Sequence, residues 1–162
     1  MCAQVTLGDC IAFRSCLPTQ EPAASLIAAM GVEIGKIYDG LEIDGADMPK
    51  AGPAELSPPR GDVQVGERDG EPVCVGAIKQ LDDHACEIKR MYVVPAVRGE
   101  GLAAVLLARL EERARELGYT VARLDTGPRQ PAALALYRRE GYQPIANFNQ
   151  NPMATFFGEK QL

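Results

Sequence analysis

The chain of 162 residues has the length of one compact domain, and 46% hydrophobic with 24% charged residues is the composition of a sequence that buries a core. Seventeen basic against 22 acidic side chains give a formal charge of -5, which excludes nucleic acid as a principal partner and offers an anionic membrane surface nothing to attract. No run approaches the roughly 20 apolar residues of a spanning helix, and MCAQVTLGDC lacks the basic and apolar regions of a secretory leader, so a cytoplasmic protein is expected.

Along the chain, QVTL reads as a short edge strand in an otherwise featureless start. Residues 21 to 38 read as a helix, because Leu26, Ile27, Met30, Ile34 and Ile37 follow a 3.6-residue period, with Gly31 and Gly35 as places where it could break. Residues 40 to 61, with eight glycines and prolines in 22 positions, are a loop. DVQVGER and PVCVGAIK form a hairpin around Asp69-Gly70, and CEIKRMYVV is a third strand. From Arg98 to Leu117 apolar residues recur every three or four positions until Gly118 ends the run, and LEERARELG on that helix reads as a solvated face. YTVARLDT is a buried strand, PAALALYRRE a helix opened by proline, and GYQPIANF with ATFFGEKQL two closing strands. The order predicts an α/β or α+β sheet with helices packed against it.

Between the third strand and the long helix lies VVPAVRGEGLAA. Gly99 and Gly101 keep side chains away from N–H groups that have no intrahelical partner, the helix dipole favours negative charge there, and Arg98 adds a cation, so the segment is an anion site. A plain glycine turn is the competing reading. Residues 99 to 104 also fit the dinucleotide fingerprint GxGxxA, with Asp125 at the distance of a ribose partner, but strands precede the glycines where a dinucleotide fold would begin with them. A P-loop is excluded because no GK[ST] follows. The five cysteines are odd in number and contain no CxxC pair, and His84 is the only histidine, so neither a disulfide framework nor a metal site is expected. His84 and Cys86 read as a surface histidine and a small buried thiol.

With those segments in hand, the sequence resembles the GNAT superfamily of acetyl-CoA-dependent N-acetyltransferases. EIKRMYVVPAVRGEGLAAVLL is similar to that family's central strand, phosphate loop and helix, with Arg98, Gly101 and Ala103 on its (R/Q)xxGx(G/A) pattern; ALALYRREGYQ is similar to its later helix, and FFGEKQL to its closing strand. The resemblance implies one domain over 1–162, with a variable part at 1–61 and a coenzyme-binding core at 62–162, built on a mixed, mostly antiparallel sheet whose central strands splay and whose faces both carry helices. It implies acetyl-CoA as donor without a metal, its pyrophosphate on Arg98, Gly99, Glu100, Gly101, Leu102 and Ala103, and its pantetheine along Met91, Tyr92 and Val93. Many relatives carry asparagine where this chain has Gln130, so that pantetheine contact differs in reach.

The resemblance further implies Glu87 as general base and Tyr137 as the acid that protonates the leaving thiolate. Two plainer roles compete: Glu87 as a strand-face carboxylate paired with Lys89 or Arg90, and Tyr137 as a packed ring. The acceptor cleft is expected around residues 30–40, 48–61 and 147–154, where Glu33, Tyr38 and Asp39 suit a cation and Arg60 with Asn149 and Asn151 suit a carboxylate. The expected reaction is direct acetyl transfer to the primary amine of a small molecule such as an amino acid; a protein or peptide acceptor and a non-catalytic acyl-CoA-binding module are the alternatives, and a homodimer is compatible with either.

Overall fold

The structure is a computed structural model that describes residues 6–162. Gln4 and Val5 of the expected first strand lie outside that range, and Leu7 enters a 3₁₀ turn over Leu7–Cys10. The edge strand is instead β1, Ala12–Ser15. There follow α1 (Ala23–Ile37), β2 (Asp62–Arg68), β3 (Glu71–Gln80), β4 (Ala85–Val93), α2 (Leu102–Glu116), β5 (Val121–Thr126), α3 (Pro131–Arg139), β6 (Gln143–Pro144) and β7 (Phe156–Gln161). One seven-stranded sheet runs in the order β1-β2-β3-β4-β5-β7-β6, antiparallel throughout except for the parallel pair β4 and β5. The mixed, mostly antiparallel architecture is the expected one.

Local chemistry sets these elements. Asp69 and Gly70 both take positive φ, 52° and 81°, which closes the β2–β3 hairpin with a turn whose twist matches the strands. Helix α1 runs unbroken through Gly31 and Gly35. There the following loop folds back against the helix, and an added Cβ would meet Ile43 Cδ1 at 3.4 Å and the Leu41 carbonyl oxygen at 3.3 Å. Helix α2 starts at Leu102 rather than Arg98, because Gly99 and Gly101 sit at φ 83° and 85°, outside the helical region. The expected penultimate strand shrinks to Gln143–Pro144, and the chain then loops to β7.

Each face of the sheet has its own core. Helices α2 and α3 cover Cys74, Ile78, Cys86, Ile88, Ala122 and Leu124 with Leu102, Leu106, Leu107, Leu110 and Leu136. Helix α1 and the loop after it cover Val63, Val65, Val75 and Ala77 with Ala23, Leu26 and Leu56 on the other face. The LEERARELG face is only partly solvated, which corrects the sequence reading: Glu111 is buried, accepts the Tyr142 hydroxyl at 3.0 Å and pairs with Lys160 at 2.9 Å. No helix among the described residues is long and apolar enough to cross a membrane.

Burial in the α2 core pushes the Cys74 thiol up to about 11 and the Cys86 thiol up to about 12, so both stay protonated and unreactive at pH 8. Alkylation with iodoacetamide at pH 8 followed by peptide mapping should label exposed Cys10 and leave Cys74 and Cys86 unlabelled until denaturant is added; labelling of Cys86 in the folded protein would contradict this packing.

Candidate active site

The sheet comes apart at its centre. β4 and β5 are paired only through Ala85, Cys86 and Glu87 against Val121, Ala122 and Arg123, and from Ile88 onward the strands diverge. Within β4 the register against β3 slips between Val75 and Ala77, and Arg90 takes φ 56°, so the strand carries a bulge. Ile88 and Met91, three apart, both pack in the α2 core, whereas strict alternation would separate them. The bulge therefore leaves Lys89 and Arg90 together on the face toward α1.

The gap opens on two cavities. The larger, about 600 Å³, runs along Met91, Tyr92 and Val93 to the start of α2 and is closed by α3. Of the residues that the resemblance assigns to the coenzyme, Arg98, Gly99, Gly101, Leu102, Ala103 and Gln130 line it as well, while Glu100 turns outward to pair with Arg68 at 3.2 Å. Main-chain N–H groups from Gly99 to Ala104 donate to no backbone carbonyl among the described residues, and a Cβ at Gly99 would meet nothing within 4 Å. This is an open cradle of donors at a helix N-terminus, which fits a pyrophosphate. Arg98 stands over it, with Nε on the Val93 carbonyl at 2.8 Å and its two Nη atoms on Glu33 at 2.8 and 2.9 Å.

The smaller cavity, about 180 Å³, lies between β4, β5, α1 and the loops after α1 and β6, and Glu33, Met91, Tyr92, Gln130 and Tyr137 line both spaces. Tyr137 thus stands where they meet. Its hydroxyl donates to Met91 Sδ at 3.9 Å, a weak acceptor, and burial with the nearby Asp125 carboxylate pushes its pKa above the ordinary tyrosine value. It holds its proton at any working pH.

The remaining candidates are placed as follows. Glu87 is fully buried and lines neither cavity; its Oε1 takes Lys89 Nζ at 2.8 Å and Asn149 Nδ2 at 2.9 Å, and its Oε2 has no partner. Asn149 faces carboxylates rather than an acceptor, since Nδ2 also donates to Asp125 Oδ2 at 2.7 Å, which Asn151 Nδ2 shares at 3.0 Å. Tyr38 is a strut: its hydroxyl donates to Gln130 Oε1 at 3.2 Å and accepts the Arg129 N–H at 3.2 Å. Arg60 is corrected outright. It lines neither cavity, donates to the Leu117 and Asp83 carbonyls at 3.1 Å each and stacks on Tyr119, at the end of the sheet where β4 and β5 are still paired.

Two residues of the smaller cavity had no such role in the sequence reading. Asp125, read there only as a partner for a ribose, presents its Oδ1 without a hydrogen-bond partner among the described residues. Arg90 lines the same wall, held well inside the protein and paired with Asp44 at 2.9 Å. The signal that could have found Asp125 is the asparagine spacing NFNQN: the Asn147, Asn149 and Asn151 side-chain carbonyls each accept a main-chain N–H and shape the loop, leaving the Asn149 and Asn151 amides to reach it.

Residues 39–142 match the profile of the acetyltransferase (GNAT) family. The chain is 31% identical over 149 residues to a protein named IAA acetyltransferase from Azospirillum brasilense, covering 90% of this chain and 94% of that one. A Klebsiella pneumoniae structure described as an acyl-CoA N-acyltransferase superposes with a TM-score of 0.73 at 32% identity, covering 94% of this chain and 97% of that one. A GNAT acetyltransferase from Elizabethkingia anophelis solved with acetyl-CoA bound shares the fold, with a TM-score of 0.67 at 15% identity over 95% of this chain and 99% of that one.

Because Glu33 occupies the Arg98 guanidinium, a phosphate bound at Arg98 would have to compete with it. Glu33→Gln should tighten acetyl-CoA binding by up to about fivefold at low salt, an exposed pair being worth little more. Gly101→Ala, which forces a Cβ into φ 85°, should weaken it at least about fivefold. Calorimetric titration reads both, and an unchanged Kd for Gly101→Ala would remove the cradle.

Proposed function

The chain belongs to the GNAT family of acetyltransferases and is an acetyl-CoA-dependent N-acetyltransferase, and from that premise we propose that it transfers the acetyl group directly to the primary amine of a small molecule held in the smaller cavity. One observation carries this reading: the cleft that fits the coenzyme and a separate, narrow cavity meet at Tyr137. A cavity of about 180 Å³ walled by Tyr38, Tyr92 and Tyr137 suits a small amine, where a peptide acceptor would call for an open groove.

The coenzyme supplies an activated acetyl thioester, and the protein's residues manage the protons. An ammonium acceptor must lose one proton before its nitrogen attacks and a second as the amide forms, while the departing sulfur must gain one; the new C–N bond replaces the C–S bond and one proton is left over. Asp125, which lines the cavity and keeps Oδ1 without a hydrogen-bond partner among the described residues, receives the ammonium and its proton. Tyr137, protonated and tied only to a thioether, gives its proton to the sulfur and regains one from the acceptor side. Main-chain N–H groups along the unpaired stretch of β4 near Met91 and Tyr92 provide donors for the thioester oxygen. Glu87, out of reach of either cavity, is a positioning residue: through Asn149 Nδ2 it fixes the Asp125 carboxylate.

Tyr137→Phe should lower kcat by about 10²-fold, measured by released thiol, while the calorimetric Kd for acetyl-CoA stays within about twofold. Equal turnover would remove the acid role. Asp125→Asn should cost a similar factor, and Glu87→Gln less, with the acidic limb of the pH-rate profile moved in both; an Asp125→Asn enzyme with an unchanged limb would place the base elsewhere.

A further inference from the structure

Four charged side chains line the smaller cavity, and they differ in what they have left to give. Glu33 is held bidentately by Arg98, and Lys89 is held by Glu87 in a pair whose side chains are 8% and 0% exposed, so a ligand gains neither without breaking a partnership already made. Asp125 keeps Oδ1 free among the described residues. Arg90 gives Nη2 to Asp44, and no acceptor among the described residues takes its Nε or Nη1.

The Asp44 contact is a poor reason to bury a cation. Asp44 is 73% exposed on the glycine- and proline-rich loop, where an ion pair contributes little, whereas the Arg90 side chain is only 9% exposed and loses most of its hydration. Arg90 also sits at φ 56°, a conformation that side chains other than glycine rarely adopt. Ile43, Met48 and Ile88 line the cavity with it and offer a guanidinium no hydrogen bond, while the Glu87 and Asp125 carboxylates lie near enough to favour its charge without bonding it. Two local costs, backbone strain and a desolvated charge, therefore meet on one residue at a cavity wall, which is the pattern of a ligand-facing group rather than a packing one.

Deepening the small-amine reading, on which this rests, we propose that the cavity is a two-ended acceptor site in which Asp125 takes the ammonium and Arg90 takes a carboxylate, so that the acceptor is an amino acid with an aliphatic side chain. The two groups reach the same side: Ala122 and Leu124 of β5 face the α2 core, so Asp125 faces α1, and the bulge in β4 sends Arg90 the same way. Both parallel forks of a guanidinium, Nη1 with Nη2 and Nε with Nη2, include the Nη2 now on Asp44, so the acceptor's carboxylate takes a fork by displacing the exposed Asp44 and using one of the two unpaired nitrogens beside it. The cavity's other lining includes Met30, Ile34, Leu41 and Met153, which suit an aliphatic group.

The test is a comparison of kcat/KM on leucine, leucinamide and 3-methylbutylamine with the unsubstituted full chain and saturating acetyl-CoA, read by released thiol. Leucine should exceed both analogues, which lack its carboxylate, by about 10²-fold. Arg90→Gln should bring leucine down to their level, chiefly through KM, with 3-methylbutylamine turnover and acetyl-CoA Kd unchanged, and Arg90→Lys should restore part of the preference. The phosphonate analogue of leucine tests the anion: turnover below leucine supports the carboxylate, and turnover above it overturns the amino-acid assignment in favour of an aminoalkylphosphonate. Amines without a carboxylate acetylated as well as leucine would overturn the proposal and leave the small-amine reading standing, whereas acetyl-CoA binding with no acetylation of any of them would overturn both. The comparison among acceptors needs no variant, so it decides even if Arg90→Gln fails to fold.

Discussion

The parting of β4 from β5 after three paired residues is the constraint on which the rest of the molecule depends. A sheet that opens inside a protein leaves main-chain N–H and C=O groups without ladder partners, and such groups carry a desolvation cost unless something meets them. Here one is met by a side chain: Arg98 Nε takes the Val93 carbonyl at 2.8 Å. The others face the larger cavity, where an extended ligand arm can complete the sheet as a strand would. Both strands share the core under α2 and α3, where Cys86 and Ile88 of β4 meet Ala122 and Leu124 of β5, and beyond their paired stretch each keeps its ladder on the far side, β4 with β3 and β5 with β7.

Charge is arranged around that opening so that few groups are free. The buried Glu87–Lys89 pair is weak evidence of stabilisation, because both partners are desolvated and Glu87 Oε2 is left without a partner. Its use is geometric. Oε1 draws in the Asn149 amide, the same amide holds Asp125 Oδ2, and Asp125 is thereby fixed beside the smaller cavity with its Oδ1 unpaired among the described residues. A carboxylate that would otherwise rotate freely at the rim of a gap is fixed from behind by a second one that never meets solvent.

What the sequence could and could not tell follows from the same geometry. The period of α2, the Asp69-Gly70 turn and the glycine loop are local signals, and they gave the elements, the cleft and its main-chain donors. Arg90 was not legible as a cavity residue, because alternation along β4 puts it on the side of Ile88, and only the bulge reverses that parity. Arg60 was misplaced for the opposite reason. It lies in the loop expected to roof the acceptor, but the loop runs back beneath α1 to enter β2 at Asp62, opposite Ile78, at the end of the sheet where β4 and β5 are still joined. Helix periodicity likewise could not say which of the acids on α2 would find Tyr142 and Lys160 from distant segments.

Gln130 shows how one departure from a family pattern is absorbed by its surroundings. Its side chain stands where both cavities meet, and its Oε1 is already committed to the Tyr38 hydroxyl from the end of α1. Only its Nε2 is left for a ligand in the cleft. The same Tyr38 hydroxyl accepts the Arg129 N–H, and Arg129 returns to the Ile37 carbonyl at 2.8 Å and to Asp39 at 2.8 Å, so the turn between β5 and α3 is tied to the C-terminus of α1 from both sides. Gly127 is what makes room for this: any Cβ there would collide with the Tyr38 hydroxyl. A glutamine in this position is therefore part of a brace across the open side of the split sheet, and the brace fixes Gln130 where the two cavities meet, the same junction to which α3 carries Tyr137.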